Sequence, residues 1–599
     1  MRSWVFLAVL VLLSSLIFVY PLFPEKGSEI DSINVTLNAT VDGETLSYSQ
    51  FRDITQDVVF FTDYRWRHVN GSLEKVYSKK FGGYLPGVVV PKNSTMNFLW
   101  KVPGFGRTVL RLDMSRFENR KTVNVNKGLA IQKYRTLRDE YKSYKGDKLR
   151  KVGNYVSRSG QSLRADNFLE SLNQSLWGLE LFSIQRAREQ IEKERKKVYS
   201  IKVLDSKGNP VDNATVRYRL KERNFQLGWF EPDVTPRFSE RVESLGLNTH
   251  MQFSFWHDTE PRNNTWNFEE VRNRISETER FDQGIAGMIG DSPKYLSKLP
   301  YSTLQKEVKE HTERTLKVLN PMGVDIWECY GLGMRYMADQ SLQMTVNRSK
   351  EQNIRITETC IDTIKARTND TVVVTGWNID GSEIRNGSYD DVPYTYYRKL
   401  DGRNFSVGFD FMYFGGAHEI YTGMVEKKVY RKEAIGDTSK NWIPMHHLYT
   451  VSKMLDWYSS LNRTVYIQYF QAPSNHLEGQ QGYWHEPWNE RVQADWIKKY
   501  YTLAYSKPYV GGINYLELKD SKWKDFKTGI FYRNGTPKRS YHKLKELIDS
   551  WGSEGTVSTG PNGTATFRGY EGSYKVSVSS DNRTRNMTLR NTKGSIILD

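Results

Sequence analysis

Apolar and polar positions change period several times along this 599-residue chain. From Ile33 to about Lys121 they alternate in twos between Gly, Asn and Pro, and INVTLNATV, DVVFFTDYRW, GVVV and TVLRLDM read as strands. This predicts a β-rich module over 30–121. From Lys127 to Lys197 the period becomes helical, with WGLELFSIQRAREQIEKERKK the clearest amphipathic run. A helical spacer over 122–197 follows, read as two helices separated around Gly153 and Gly160. At Val198 strands return in VYSIKVLDSKGNPVDNATVRYRL, and GTVSTGPNGTATFRGYEGSYKVSVS, at 555–579, has the same character. The two stretches are read as halves of one small β domain, 198–226 plus 553–599.

Between them, short β runs alternate with helical patterns. LGW at 227–229, GLNTHMQFSF, FDQGIAGMIGDSP and MGVDIWECYGLG supply four strands. TVVVTGWNID, FSVGFDFMYF, RTVYIQYFQAPS and GGINYLELKD supply four more. Eight such units in one segment predict an α/β fold, a (β/α)8 TIM-type barrel over 227–552, with its active face where the strands end. Barrel termini lie close together, so insertion into a β domain is permitted.

The amino terminus changes where this fold is expected to work. After Arg2, residues Trp4 to Phe23 are almost uninterruptedly apolar, longer than a usual signal-peptide core and with no small-x-small cleavage site. Residues 1–23 are read first as a single membrane anchor and second as a cleaved signal peptide. Both readings place the remainder outside the cytoplasm, at the cell surface or secreted. Sixteen N-x-S/T sequons, from Asn34 and Asn38 to Asn586, agree with a glycosylated exterior protein. Cys329 and Cys360 are the only cysteines. One is expected on a strand and the other on the helix covering it. A bridge is geometrically possible; two buried thiols are the favoured expectation. The net charge of +17 is spread rather than patched. A solvated basic surface accounts for it, and no nucleic-acid motif accompanies it. No metal site and no cofactor are expected.

The last quarter of the barrel carries a resemblance. VYIQYFQAPS, the following YWHEPW, and the ending TGIF…PKRSYHKL resemble glycoside hydrolase family 10, the endo-xylanase family. The early D-x-x-G-x-P-V and late G-x-A-x-F-x-G-x-Y patterns of the split β domain resemble an immunoglobulin-like or carboxypeptidase-regulatory-like module, which brackets the barrel in many family 10 relatives. The resemblance implies two catalytic glutamates, an acid ending the fourth strand and a nucleophile ending the seventh. Those positions hold Leu332 and Tyr469 here. The polar run at the end of the second strand becomes Met251, Gln252, Phe253, Ser254 and Phe255, with Trp256 retained. Leucine donates no proton, and retaining hydrolysis needs two carboxylates about 5–5.5 Å apart.

Other carboxylates at expected strand ends are candidates for a relocated pair: Asp291, Asp380, Asp410 and Glu517. Glu328 is expected inside the barrel beneath Leu332 as a hydrogen-bonded structural group. Glu358, in the ITE triplet, has helical surroundings and reads as an exposed helix charge. Tyr469 as nucleophile has precedent only in sialidase-type chemistry and requires a base beside the phenol, which sequence does not identify. Trp256, Tyr295, Trp377, Trp484, Trp488 and Trp523 are expected in or near strand-end loops, where aromatic faces stack on sugar rings. The sequence therefore leads to a surface-attached, family 10-like protein that binds a β-linked, xylan-like polysaccharide without the usual double-glutamate hydrolysis. A glycosidase with relocated carboxylates is the first alternative, and a structural or adhesive envelope glycoprotein the second.

Overall fold

The computed structural model describes residues 32–41, 43–55, 59–63, 71–144, 149–230, 234–290, 292–329, 350–376, 397–412, 447–475, 483–520, 527–581 and 583–598. The apolar stretch Trp4–Phe23 lies outside these residues. Among the described residues no helix is long and apolar enough to cross a membrane.

Eight parallel strands close a barrel in chain order. They are β1 (Gln226–Phe230), β2 (Thr249–Phe253), β3 (Asp282–Ala286), β4 (Val324–Glu328), β5 (Thr371–Gly376), β6 (Ser406–Met412), β7 (Val465–Gln471) and β8 (Val510–Leu516). Each coincides with one of the eight runs read from the sequence. Helices such as Pro236–Leu245, Tyr301–Leu319, Lys350–Lys365, Glu490–Ser506 and Arg539–Asp549 cover the outside. Strands buried on both faces read as near-continuous apolar runs, which is why they stand out without strict alternation. Leu227, Trp229, Ile285, Trp327, Ile467 and Ile513 face the helices. Phe230, Met251, Ala286, Ile326, Val373, Tyr469 and Leu516 form a separate cluster within the barrel.

A β sandwich brackets the barrel in sequence. Its three-stranded sheet pairs Lys196–Asp205 with Thr564–Tyr570 and Lys593–Leu598, and its four-stranded sheet pairs Thr215–Arg223 with Glu554–Ser558 and Gly572–Ser580. Ahead of it, residues 32–124 form a four-stranded and a three-stranded sheet over a common core.

The spacer contains three helices rather than two: α1 (Val125–Ser143), α2 (Arg150–Arg164) and α3 (Phe168–Glu194). Gly153 and Gly160, read as breakers, lie inside α2. A Cβ at either position would come within 3 Å of the Tyr141 or Tyr134 hydroxyl. These glycines let two helices approach. The chain turns instead before α3, where Asn167 caps the Glu170 amide at 3.2 Å.

The modules meet at one buried junction. Glu180 of α3 accepts from Lys499 Nζ at 2.8 Å and lies 3.0 Å from His485 Nε2. The other nitrogen of His485 faces the Phe105 carbonyl at 2.7 Å. His485 also stacks on Trp177, with centroids 4.3 Å apart. Gly106 sits against the His485 backbone at φ +115°. A side chain there would be both strained and in collision. Gly106→Ala is therefore expected to destabilise the protein by at least about 1–3 kcal/mol, read as a lower chemical-denaturation midpoint.

Candidate functional site

The end of β7 is irregular, and that irregularity builds the centre of the barrel. Register with β6 shifts between Phe409 and Asp410, and register with β8 shifts between Ile467 and Phe470. Simple alternation would separate Gln468 from Tyr469. Instead, both reach the interior. The Tyr469 hydroxyl donates to Glu328 Oε2 at 2.8 Å, and Gln468 Nε2 approaches the same oxygen at 3.5 Å. Asn514 of β8 donates to Gln468 Oε1, and Gln226 of β1 donates to Asn514 Oδ1 at 2.6 Å. All five side chains are buried. The expectation that Glu328 points inward as a hydrogen-bonded group matches this geometry, and the network runs from the start of β1 to the ends of β4 and β7.

Above this pair the lining is aromatic. Phe230 stacks on Phe253 (centroids 4.7 Å) and tilts against Tyr469 (4.9 Å). Phe253, Phe255 and His257 continue outward at near-parallel angles, with centroids 5.2 and 6.2 Å apart. Phe253 and Phe255 are half-buried and His257 is exposed. The sequence reading takes Phe253 and Phe255 as lost polar positions and does not single out His257. The signal for the first two is their i, i+2 spacing, which puts them on one side of an extended chain; His257 joins them from the short helical turn Trp256–Thr259.

The residues singled out from sequence fall in several places. Asp291, Leu332, Trp377, Asp380 and Trp523 lie outside the described residues. Asp410 is on β6, beside Tyr469 in register. Glu517, just past β8, has φ +57° and accepts from Gln471 Nε2 at 3.4 Å. Glu358 is on the Lys350–Lys365 helix as expected, but it is half-buried rather than exposed and pairs with Arg403 at 3.0 Å.

The aromatic rim expected of the tryptophans is not formed by Trp256, Trp484 and Trp488, which are at most 2% exposed. Trp256 donates to Glu260 Oε2 at 2.9 Å and stacks on buried His311 at 4.3 Å. Burial pushes the Glu260 carboxyl up, but hydrogen bonds from His311 and Trp256 outweigh this and leave it below its ordinary value. Burial lowers the His311 pKa despite that carboxylate. Tyr295 is partly buried in the same core, and burial, with Glu260 and Glu307 nearby, raises its phenol. Trp484 belongs to the module junction, between His485, Trp496 and Lys499. Asp520 is held by Lys538 Nζ at 2.6 Å and the Gly529 amide at 3.1 Å, closing the loop after β8.

Cys329, directly after Glu328, is bonded to Cys360 of the covering helix, with Cα atoms 6.3 Å apart. This corrects the expectation of two thiols. The placement on facing elements was right, and at this separation bond formation requires no backbone movement. Among the described residues no cluster of three or more His, Cys, Asp or Glu could hold a metal ion. A groove along the outer flank, lined by Glu310, Glu313, Arg314, Lys317 and Arg367, is crossed by the Arg367–Glu313 pair at 2.9 Å.

No protein-family model matches the chain, and no curated protein matches it. Several solved structures are similar. Xylanase 10B from Thermotoga petrophila RKU-1, in complex with xylobiose, is 14% identical over 55% of this chain and 94% of its own, with a TM-score of 0.39. Native xylanase 10B from Thermotoga maritima is 15% identical over 55% and 95%, with a TM-score of 0.37. GH10 from Paenibacillus barcinonensis is 11% identical over 55% and 96%, with a TM-score of 0.39. The closed eight-stranded barrel itself is given by the strand pairing. Tyr469 and the buried Glu328 it bonds occupy the centre of that barrel here.

Proposed function

We propose that this chain is an extracytoplasmic, family 10-like barrel protein that holds a β-linked, xylan-like polysaccharide at the mouth of its barrel without double-glutamate hydrolysis. The observation that carries the reading is the Tyr469–Glu328 hydrogen bond. At the end of β7, where retaining chemistry would need a carboxylate poised to attack, a fully buried phenol is tied to a fully buried glutamate. Phe253 and Phe255 offer apolar contact in place of hydroxyl-gripping polar groups. The disulfide supports a location outside the reducing cytoplasm, and the apolar amino-terminal stretch serves as a membrane anchor or, in the second reading, a secretion signal.

Affinity-gel electrophoresis on soluble xylans and other β-glycans, run beside reducing-end release, tests this. Retardation without sugar release is expected, with Phe255→Ala weakening retention about tenfold, the loss of one buried aromatic contact. Sugar release abolished by Glu517→Gln or Asp410→Asn would instead establish a relocated carboxylate pair. Absence of binding to every glycan would leave the adhesive or structural reading.

The same hydrogen bond favours one further reading. Glu328 is the base beside the phenol that a tyrosine nucleophile requires. It would take the phenol proton as the Tyr469 oxygen bonds to the anomeric carbon and the leaving oxygen departs with its electron pair. Water would then displace the phenol, which recovers its proton from Glu328, while the proton lost by water goes to the departed alkoxide or aryloxide, giving the free alcohol. Turnover of aryl β-glycosides by the wild type, lost in Tyr469→Phe, would establish it. No turnover is expected, because both groups are wholly enclosed.

A further inference from the structure

Three sequons stand immediately ahead of three adjacent barrel strands. Asn369-Asp370-Thr371 leads into β5, Asn404-Phe405-Ser406 into β6 and Asn462-Arg463-Thr464 into β7. They therefore gather at the end of the barrel where strands begin, opposite the mouth. All three asparagines are exposed.

In each sequon the middle residue is fixed to the protein while the asparagine faces outward. Asp370 accepts from Trp327 Nε1 at 2.9 Å. Phe405 is buried beneath the Arg463 guanidinium, 3.9 Å from its ring centroid. Arg463 donates to the carbonyls of Arg403 at 2.8 Å and Phe405 at 3.2 Å, the residues on either side of Asn404. The Asn404 and Asn462 loops are thus bonded to each other and present their asparagines side by side. Asn462 has φ +53° and caps a short helical turn, a conformation asparagine tolerates. Asn173, in the sequon Asn173-Gln174-Ser175, differs: it is half-buried on α3, and its amide donates to Glu170 at 3.1 Å.

We propose that Asn369, Asn404 and Asn462 are N-glycosylated, forming a glycan patch over the base of the barrel, and that Asn173 is not. The acceptor chemistry needs an accessible asparagine amide followed two residues later by a hydroxyl, and these sites supply both. Three glycans on the strand-start face coat that surface with carbohydrate. The proposal rests on the extracytoplasmic location, and is independent of what the mouth binds.

The test is to express the full chain, with its own amino terminus, in a host with N-glycosylation. Surface or secreted protein is isolated, treated with peptide N-glycosidase in ¹⁸O-water and mapped by mass spectrometry. Heavy aspartate at 369, 404 and 462 with unaltered Asn173 is the expected result. Exported protein lacking the label at these three sites, or carrying it at Asn173, overturns the site assignment. A chain found only in the cytosol overturns the location and the proposal with it. The triple Asn→Gln variant should lose three glycan-sized steps in mobility and retain its far-ultraviolet spectrum.

Discussion

Glu180→Ala is expected to cost about 3–5 kcal/mol, because it leaves a half-buried lysine and histidine facing an uncompensated gap. Glu180 is 2% exposed and receives Lys499 Nζ at 2.8 Å. Burial pushes its carboxyl up, but His485 and Lys499 together hold it down to about 2. A carboxyl depressed in the folded state contributes stability that is present above its ordinary value of 4.5 and is lost as pH falls toward 2. His447, in the same junction, adds a second component. Its Nδ1 accepts the Tyr449 amide at 3.1 Å and its Nε2 faces the Leu176 carbonyl at 2.9 Å, so the neutral ring suits both partners. Burial lowers it to about 4, with Lys133 opposing protonation and Glu180 favouring it. The unfolded chain takes up that proton first, so stability falls as pH drops from 6.5 to 4. Denaturation midpoints measured from pH 7 to 3 should decline in wild type through both windows. Glu180→Ala should start lower and lose the more acidic component. Equal acid slopes in the two proteins would refute the assignment.

Removing the Cys329–Cys360 bond should cost about 3–4 kcal/mol, from loop-closure entropy over a separation of 31 residues. The bond joins the residue after Glu328 to the helix covering β4. Its loss frees that strand end beside the Tyr469–Glu328 pair as well as enlarging the unfolded ensemble. Cys329→Ser with Cys360→Ser, compared with wild type before and after reduction, separates the two protein states by denaturation midpoint. The double variant should match reduced wild type. If oxidised, reduced and variant proteins unfold together, the bond contributes nothing.

The barrel was readable because its strands are apolar on both faces and each is followed by a helical period. What sequence hid was local irregularity. Alternation along β7 treats Gln468 and Tyr469 as opposite in direction, and only the register shift around them brings both to Glu328. Gly153 and Gly160 look like helix breakers, yet they answer to tyrosine rings on a neighbouring helix. Trp484 and Trp488 adjoin a strand-end loop and so read as a sugar platform. Trp484 packs on His485, which bonds α3 and the amino-terminal module, a neighbourhood that sequence distance conceals. Phe253 and Phe255 were visible only as absent polar residues.

The bracketing sandwich imposes an order on synthesis. The Tyr199 hydroxyl bonds the Gly572 carbonyl 373 residues further along, and the strand containing Tyr199 pairs on both sides with strands from beyond the barrel. At translation speeds of about 5–20 residues per second, that strand waits roughly 20–75 seconds for either neighbour. The barrel has time to close first, and the strands from beyond it then act as a latch that completes the sandwich. A ribosome that stops within the barrel releases a chain whose Lys196–Asp205 strand has open edges, which quality-control proteases can distinguish from the latched fold.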